Sequence, residues 1–405
     1  MLNFRKVKVQ VQSELEYNFL TFNQNLLMKS KKLILLMVCI SGVLSSCKMD
    51  NPQGIDNTAG ETNVLTQSLS SVAIQDTLMI NAIRFGGPRA VPEDLFELEN
   101  TGLAVLNKYK TDDSGILTIF DDQSNQVLGT YFPVGDGPGE FLRRPVFIDQ
   151  GVIKEGESFH FYSFPRTTSY ALQAIWTNSR LRFAIDTFPA PDYYEGAQSI
   201  FPLRDSLFAV LLPNNNLGKV GYWNRFLGHQ KYMDFVPMLP TDLPRNFYTS
   251  FYNGPVARKP DGSTFVFHSN YFNVVDIYAA NGEVNYLTIQ EDDDQIIQPD
   301  FMNGEPTPPN LKIHYIDFAV SEDWFCGLWI GMSPNDFEEH LIGLEEGVRS
   351  HPVMQLHFFD WNGKLLHRYM LDAPVSKIAT GTDNRLWAIT FLIEEYPIGY
   401  FTLPE

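Results

Sequence analysis

A six-bladed β-propeller with four-stranded antiparallel blades, an all-β fold, is what this sequence predicts, and three observations predict it. Aromatic residues are 14% and charged residues only 19% of 405, a balance suited to buried sheets and not to a solvated helical bundle. Gly (28) and Pro (25) are numerous enough to turn the chain many times. The third observation is a repeat. A short apolar strand, a tight polar turn and a strongly apolar strand recur six times.

The chain begins with a segment that belongs to export and not to the fold. Residues 1–27 precede a second methionine and are read as an upstream extension. From Met28, Lys29, Lys31 and Lys32 form a positive start, Leu33–Leu44 is a 12-residue apolar run, and Ser45-Ser46-Cys47 follow. Twelve residues are too few for the ~20 that cross a bilayer, so residues 28–46 read as a cleaved signal peptide. Leu44-Ser45-Ser46-Cys47 resembles a bacterial lipobox, which makes Cys47 the lipid attachment site. The expected location is the cell envelope, at the outer membrane.

The next stretch, Lys48–Ser70, is polar and lacks hydrophobic periodicity, so residues 47–70 are expected to be a flexible tether. As coil, its 23 residues would span roughly 25–29 Å. Residues 71–405 are assigned to the propeller. Ser71–Ile80 is a strand without a blade of its own and is expected to pair with the last blade, supplying its fourth strand and closing an open edge.

The six turns are Glu99-Asn100-Thr101, Lys154-Glu155-Gly156, Arg204-Asp205, Pro260-Asp261-Gly262, Glu322-Asp323 and Asp383-Asn384, at gaps of 55, 49, 56, 62 and 60 residues. Asn281-Gly282 and Asn362-Gly363 mark second hairpins, because both central residues of such a turn accept positive φ. Two hairpins per repeat make four strands. In the longest repeat Ser333-Pro334-Asn335-Asp336 has the form of a helix start, and Phe337, Leu341, Leu344 and Val348 follow at helical spacing, so one short helix is expected inside the fifth blade.

Val134–Phe141, reading VGDGPGEF, resembles the G-x-G-P-G-E-F turn of NHL-like and TolB-like six-bladed propellers. Phe358–Thr390 resembles the late repeat of the TolB-like propeller lipoproteins of Bacteroidetes. With the lipobox, the resemblance runs from Met28 onward. It implies the fold and an envelope location, and it supplies no catalytic residues. Between Arg182 and Phe251 the pattern is weaker and strand limits are left open.

Composition narrows the partners. The net charge is −18, and −22 beyond Cys47, which excludes a nucleic-acid partner and leaves membrane attachment to acyl chains. The Gly135–Gly139 run lacks the spacing of a dinucleotide fingerprint and reads as a tight crossover, with Arg143 and Arg144 as a weak candidate for an anion near the channel mouth. Glu291–Asp294 is four acids without the D-x-D-x-D-G pattern of a calcium loop, hence a solvated loop. None of the eight histidines pairs at zinc-ligand spacing. His314, on an expected innermost strand with Asp317 three residues on, alternates with Ile316, Phe318 and Val320 and reads as a core histidine. Cys326, inside WFCGLWI, reads as a buried inert thiol.

No catalytic residue, cofactor or metal is therefore assigned. The expected function is a lipid-anchored binding or scaffold module for a protein or glycan. The alternative is a hydrolase or lyase acting on carbohydrate or lactone, which needs carboxylates such as Asp317 to converge with others on the channel axis.

Overall fold

The structure, a computed structural model, describes residues 62–83, 92–107, 115–121, 124–133, 146–147, 151–154, 156–163, 168–177, 180–189, 199–204, 206–211, 220–233, 254–268, 274–280, 284–290, 300–302, 305–307, 312–345, 354–391 and 398–404. These form six sheets of four or five strands, with a two-stranded pair Asp300–Met302/Glu305–Thr307. Following the chain, sheet I holds Pro92–Leu98, Gly102–Asn107, Leu117–Phe120 and Val127–Tyr131. Sheet II holds Val146–Phe147, Ser158–Ser163, Thr168–Thr177 and Arg180–Pro189. Sheet III is Ser199–Arg204, Leu207–Leu211, Val220–Asn224 and Gly228–Met233, which gives strand limits for the described part of the weak repeat. Sheet IV is Val256–Arg258, Thr264–His268, Val274–Ala279 and Val284–Gln290. Sheet V is Ile313–Val320, Trp324–Met332, Gln355–Asp360 and Leu365–Leu371, and sheet VI begins with Val375–Thr380, Arg385–Thr390 and Ile398–Thr402.

The six sequence turns lie between the first two strands of these sheets. Four of them contain residues at positive φ: 56° at Asn100, 83° at Gly156, 69° at Gly262, and 54° and 56° at Asp383 and Asn384. Gly262 has a second constraint, since a Cβ there would stand 1.7 Å from the Leu203 carbonyl oxygen of sheet III. The helix forms over Pro334–Glu345, between the second and third strands of sheet V. Ser333 Oγ accepts from the Asp336 amide (3.1 Å) and donates to the Asp336 carboxylate (2.7 Å), closing the expected cap.

Each sheet buries both faces against its neighbours in sequence, and the sixth packs on the first. Phe96 of sheet I meets Phe159 of sheet II at 4.7 Å between ring centres, and Phe188 of II meets Phe208 of III at 5.2 Å. Tyr222 of III donates its hydroxyl to the Ala279 carbonyl of IV (3.0 Å). One apolar cluster joins Val266 and Val275 of IV to Phe318 and Phe325 of V, and another joins Leu328 and Leu356 of V to Ile378 and Leu386 of VI. A further cluster joins Trp387 and Ile389 of VI to Leu95 and Val105 of I. The sheets remain open, and side-chain packing between them makes the ring.

The N-terminal segment corrects two expectations. The coil expected through Ser70 gives way at Thr62, because Thr62–Ser68 pairs in parallel with Val284–Gln290 on the outer edge of sheet IV. Ile74–Leu78 pairs with the outer strand of sheet V and not with the last sheet, and Leu78 enters the apolar cluster between V and VI. The fourth strand of sheet VI is supplied by Asn81–Ile83, antiparallel to Ile398–Thr402. One N-terminal segment thus covers three outer edges in succession. At the 3₁₀ turn Leu69–Ser71 between the first two, the Arg368 guanidinium donates to the carbonyls of Leu69 and Val72.

Sheet II has a divided first strand. Val146–Phe147 pairs within sheet II, while Val152–Ile153 runs parallel to Glu97–Leu98 of sheet I.

Candidate functional site

Three first strands bring charge together in the interior. Asp94 of sheet I, Asp317 of sheet V and Lys377 of sheet VI lie on strands otherwise rich in apolar residues. Asp317 is wholly buried; its carboxylate accepts from Lys377 Nζ (3.1 Å) and from the Ile378 amide (2.8 Å). Burial pushes the Asp94 carboxyl up to about 7, against the pull of Lys377 and with the Asp317 charge adding to it. Burial also lifts Asp317, opposed by Lys377 and the Ile378 N–H. Desolvation works against the Lys377 charge, yet Asp317 and Asp94 outweigh it and hold the ammonium's pKa above the ordinary lysine value. A charged lysine between two buried carboxyls, one of which keeps a proton near neutrality, is the arrangement this favours.

A third carboxylate, Glu97, ties sheet VI to sheet I. It accepts from Trp387 Nε1, the Thr382 hydroxyl and the Thr382 amide (3.1 Å), with Arg385 at 3.8 Å. Asp94, Glu97 and Lys377 were not singled out from the sequence. The available signal was an acid or lysine inside an apolar first strand, as in PEDLFEL and VSKIAT.

His314 is 4% exposed, with its ring edge-on to His268 at 6.3 Å. Its strand departs from strict alternation. The pairing register shifts on either side of Tyr315, so Tyr315 and Phe318 stack at 5.8 Å toward sheet IV, while Ile316 packs on the cluster toward sheet VI. His268 Nδ1 donates to the Val274 carbonyl (2.8 Å) and its Nε2 accepts from the Tyr315 amide (3.2 Å). His357 Nδ1 accepts from the Tyr315 hydroxyl (2.8 Å), and its Nε2 donates to Gln355 Oε1 (3.1 Å). Burial and the Arg368 charge hold the His357 ring neutral, with its pKa well below the ordinary imidazole range. Cys326 is wholly buried, and desolvation and the Asp317 charge push its thiol well above the usual value.

Among the described residues no three His, Cys, Asp or Glu side chains form a group that could hold a metal. Cys47, Gly135–Phe141, Arg143, Arg144 and Glu291–Asp294 lie outside the described residues.

A depression of about 260 Å³ lies at the end of the ring that carries the first-to-second-strand turns. It is lined from sheets II, IV and V, with Ser158, His160 and Arg258 as its principal polar groups and Glu157 at its wall. Arg258 donates to the Pro202 carbonyl (3.1 Å) and reaches His160 Nδ1 (3.3 Å). Glu157 accepts from the Lys154 amide (3.2 Å), so the backbone engages its charge in part. No spacing signal marks this site, because Arg258 and His160 are far apart in the chain and meet only through the ring.

No protein-family model and no curated protein matches the chain. Solved structures do resemble it. A Bacteroides fragilis protein classed by name as exported is 10% identical over 85% of this chain and 100% of its own, with a TM-score of 0.50. Virginiamycin B lyase from Staphylococcus aureus is 10% identical, covering 81% and 100% of the two chains at a TM-score of 0.42. The β-propeller domain of Myceliophthora thermophila Cps50 is 12% identical, covering 80% and 100% at 0.39. Small antiparallel sheets packed in succession, with the sixth on the first, place the fold in the β-propeller class. Identity this low speaks to the fold and leaves activity to the chain's own residues.

Proposed function

We propose that this chain is a six-bladed propeller of the TolB-like and NHL-like lipoprotein kind, carried to the cell envelope by residues 28–46 and held at the outer membrane by lipid on Cys47. There it serves as a non-enzymatic binding or scaffold module for a protein or glycan. The observation that carries the binding role is how the described interior polar groups are used. Asp317, Glu97, His268 and His357 bond to neighbouring strands and sheets, and so stiffen a ring. The depression beside Arg258 and His160 offers a guanidinium, an imidazole and a hydroxyl, a set that recognises a carboxylate or the acidic group of a glycan.

The test is capture from solubilised envelopes with lipidated protein, comparing the native chain with Arg258→Glu. A component retained by the native chain and lost with Arg258→Glu supports the reading; identical captures from both overturn the assignment of the depression. Cys47→Ala is expected to fold normally and leave the membrane fraction, and persistence there after a salt wash would refute the anchor.

The enzyme reading has one observation in its favour, the Asp94 carboxyl with its pKa near 7 beside Lys377. If lactone or glycoside turnover is found and Asp94→Asn abolishes it while the variant stays folded, that reading replaces the binding role.

A further inference from the structure

The third-to-fourth-strand turn of sheet III is built unlike those of sheets I and V. Phe226 and Leu227 stand at its tip, each 75% exposed, in the run Asn224-Arg225-Phe226-Leu227-Gly228. The corresponding turns of sheet I, Asp121–Gln126, and sheet V, Asp360–Lys364, are polar at their tips or cap them with a carboxylate. The sheet III tip is also held in shape. Asn224 Oδ1 accepts from the amides of both Phe226 (3.0 Å) and Leu227 (3.1 Å). The Arg225 guanidinium lies 4.9 Å from the Phe226 ring centre and 5.3 Å from that of Phe188. Two large apolar side chains are thus presented to solvent by a preorganised turn, with a cation at their base.

Topology places this tip where the chain enters the ring. Thr62 pairs with Val284, at the start of the fourth strand of sheet IV, and so lies beside the third-to-fourth-strand turn of that sheet. Sheets III and IV point the same way: Tyr222, two residues before Asn224, bonds to the carbonyl of Ala279, which ends the third strand of IV. Arg258 and the Pro202 carbonyl meet at the same end of their first strands. The apolar tip and the entry point therefore share one end of the ring, on adjacent sheets. The fourteen residues 48–61 between Cys47 and Thr62 limit the separation of lipid and ring to ~50 Å at full extension.

We infer that Phe226 and Leu227 are a second membrane contact, inserted at the interface of the bilayer that holds the acylated Cys47, with Arg225 reaching up to the headgroups. This rests on the lipid-anchor reading given above. A tethered body meets the bilayer at high effective concentration, so two side chains suffice for a contact that would be too weak for a free protein. The net charge of −22 beyond Cys47 selects a zwitterionic surface over an anionic one. The contact lies at the rim, because third and fourth strands are the outer ones, and so leaves the central depression at that end open to a ligand.

The experiment uses the full chain, lipidated and as Cys47→Ala, with vesicles of phosphatidylcholine and phosphatidylethanolamine. Sedimentation gives the bound fraction, and hydrogen exchange reads the amides of residues 225–228. With the lipidated chain, vesicles are expected to slow exchange at 225–228. In Cys47→Ala, the weak residual partition is expected to fall roughly tenfold on Phe226→Ser/Leu227→Ser. The double variant alters only exposed side chains, and an unchanged melting temperature confirms that its fold is intact. Unchanged exchange at 225–228 in the bound lipidated chain overturns the inference while leaving the anchor standing. Equal binding of Cys47→Ala and the lipidated chain overturns the anchor instead. Protection that appears only with envelope proteins assigns the tip to a protein partner and refutes the bilayer contact.

Discussion

Asp317 shows what a buried charge does in this molecule. Its carboxylate meets Lys377 and the Ile378 amide across the boundary between sheets V and VI, with no exposure of its own. Asp317→Asn removes the charge and leaves the lysine facing Asp94. Breaking a wholly buried pair costs ~3–5 kcal/mol, but the Lys377 side chain is 30% exposed and can turn to water. The expected loss is about 2–3 kcal/mol in urea unfolding. Asp94 sets a pH dependence of the opposite sense to that of a surface salt bridge. Its folded pKa of about 7 lies above the unfolded value of 3.8, so the native state binds the proton more tightly. The resulting stabilisation is complete below about pH 4 and is lost as pH rises through about 7. Thermal midpoints should therefore decline between about pH 4 and 7 in a way that Asp94→Asn abolishes; an unchanged decline in that variant would assign it to other groups.

At the scale of elements, the ring depends on how its first and last sheets meet and on how its outer edges are covered. Glu97 satisfies a tryptophan N–H and a threonine hydroxyl and amide of sheet VI at once. Glu97→Ala leaves these donors without their acceptor in a closed interface, where each unmet group costs ~1–3 kcal/mol. A loss of at least ~3 kcal/mol in denaturant unfolding is expected, larger than for Asp317→Asn. On the outer side, Arg368 joins Gln355 Oε1 (2.8 Å) to the carbonyls at the turn Leu69–Ser71. Arg368→Ala should speed hydrogen exchange along Thr62–Leu78 well before it affects the inner strands, because the N-terminal strands hold to their sheets by one edge only. Uniform acceleration across sheet V would show instead that the segment and the sheet open as one unit.

For the whole molecule, the N-terminal segment does two things at once. It covers the outer edges of sheets IV, V and VI, and it carries the chain to the end of the ring that bears the depression and the apolar tip. A chain beginning at residue 84 would leave sheet VI with three strands and expose the edge that Asn81–Ile83 covers. Such a chain is expected to melt at lower temperature and to self-associate, read by light scattering; a monomer of undiminished stability would show that side-chain packing alone closes the ring. The β-propeller class accounts for this economy, since a ring of small sheets has many edges and a single connected segment can cover several.

Local chemistry made much of this legible before any coordinates. The turns at Asn100, Gly156, Gly262 and Asp383-Asn384 with their positive φ, and the Ser333–Asp336 cap, act over a few residues, and each produced the element its sequence implied. The sequence also held the material of the interior site, but not its pairing. Asp94, Asp317 and Lys377 meet because three distant first strands become neighbours, and nothing within any one strand encodes that encounter. The same holds for Ile74–Leu78, whose pattern says strand but cannot say which of two open edges it joins. Register shifts beside Tyr315 turned the side chains that follow, a tertiary packing choice that simple alternation does not contain. Short-range forces determine the elements, and burial of distant side chains against one another decides their partners.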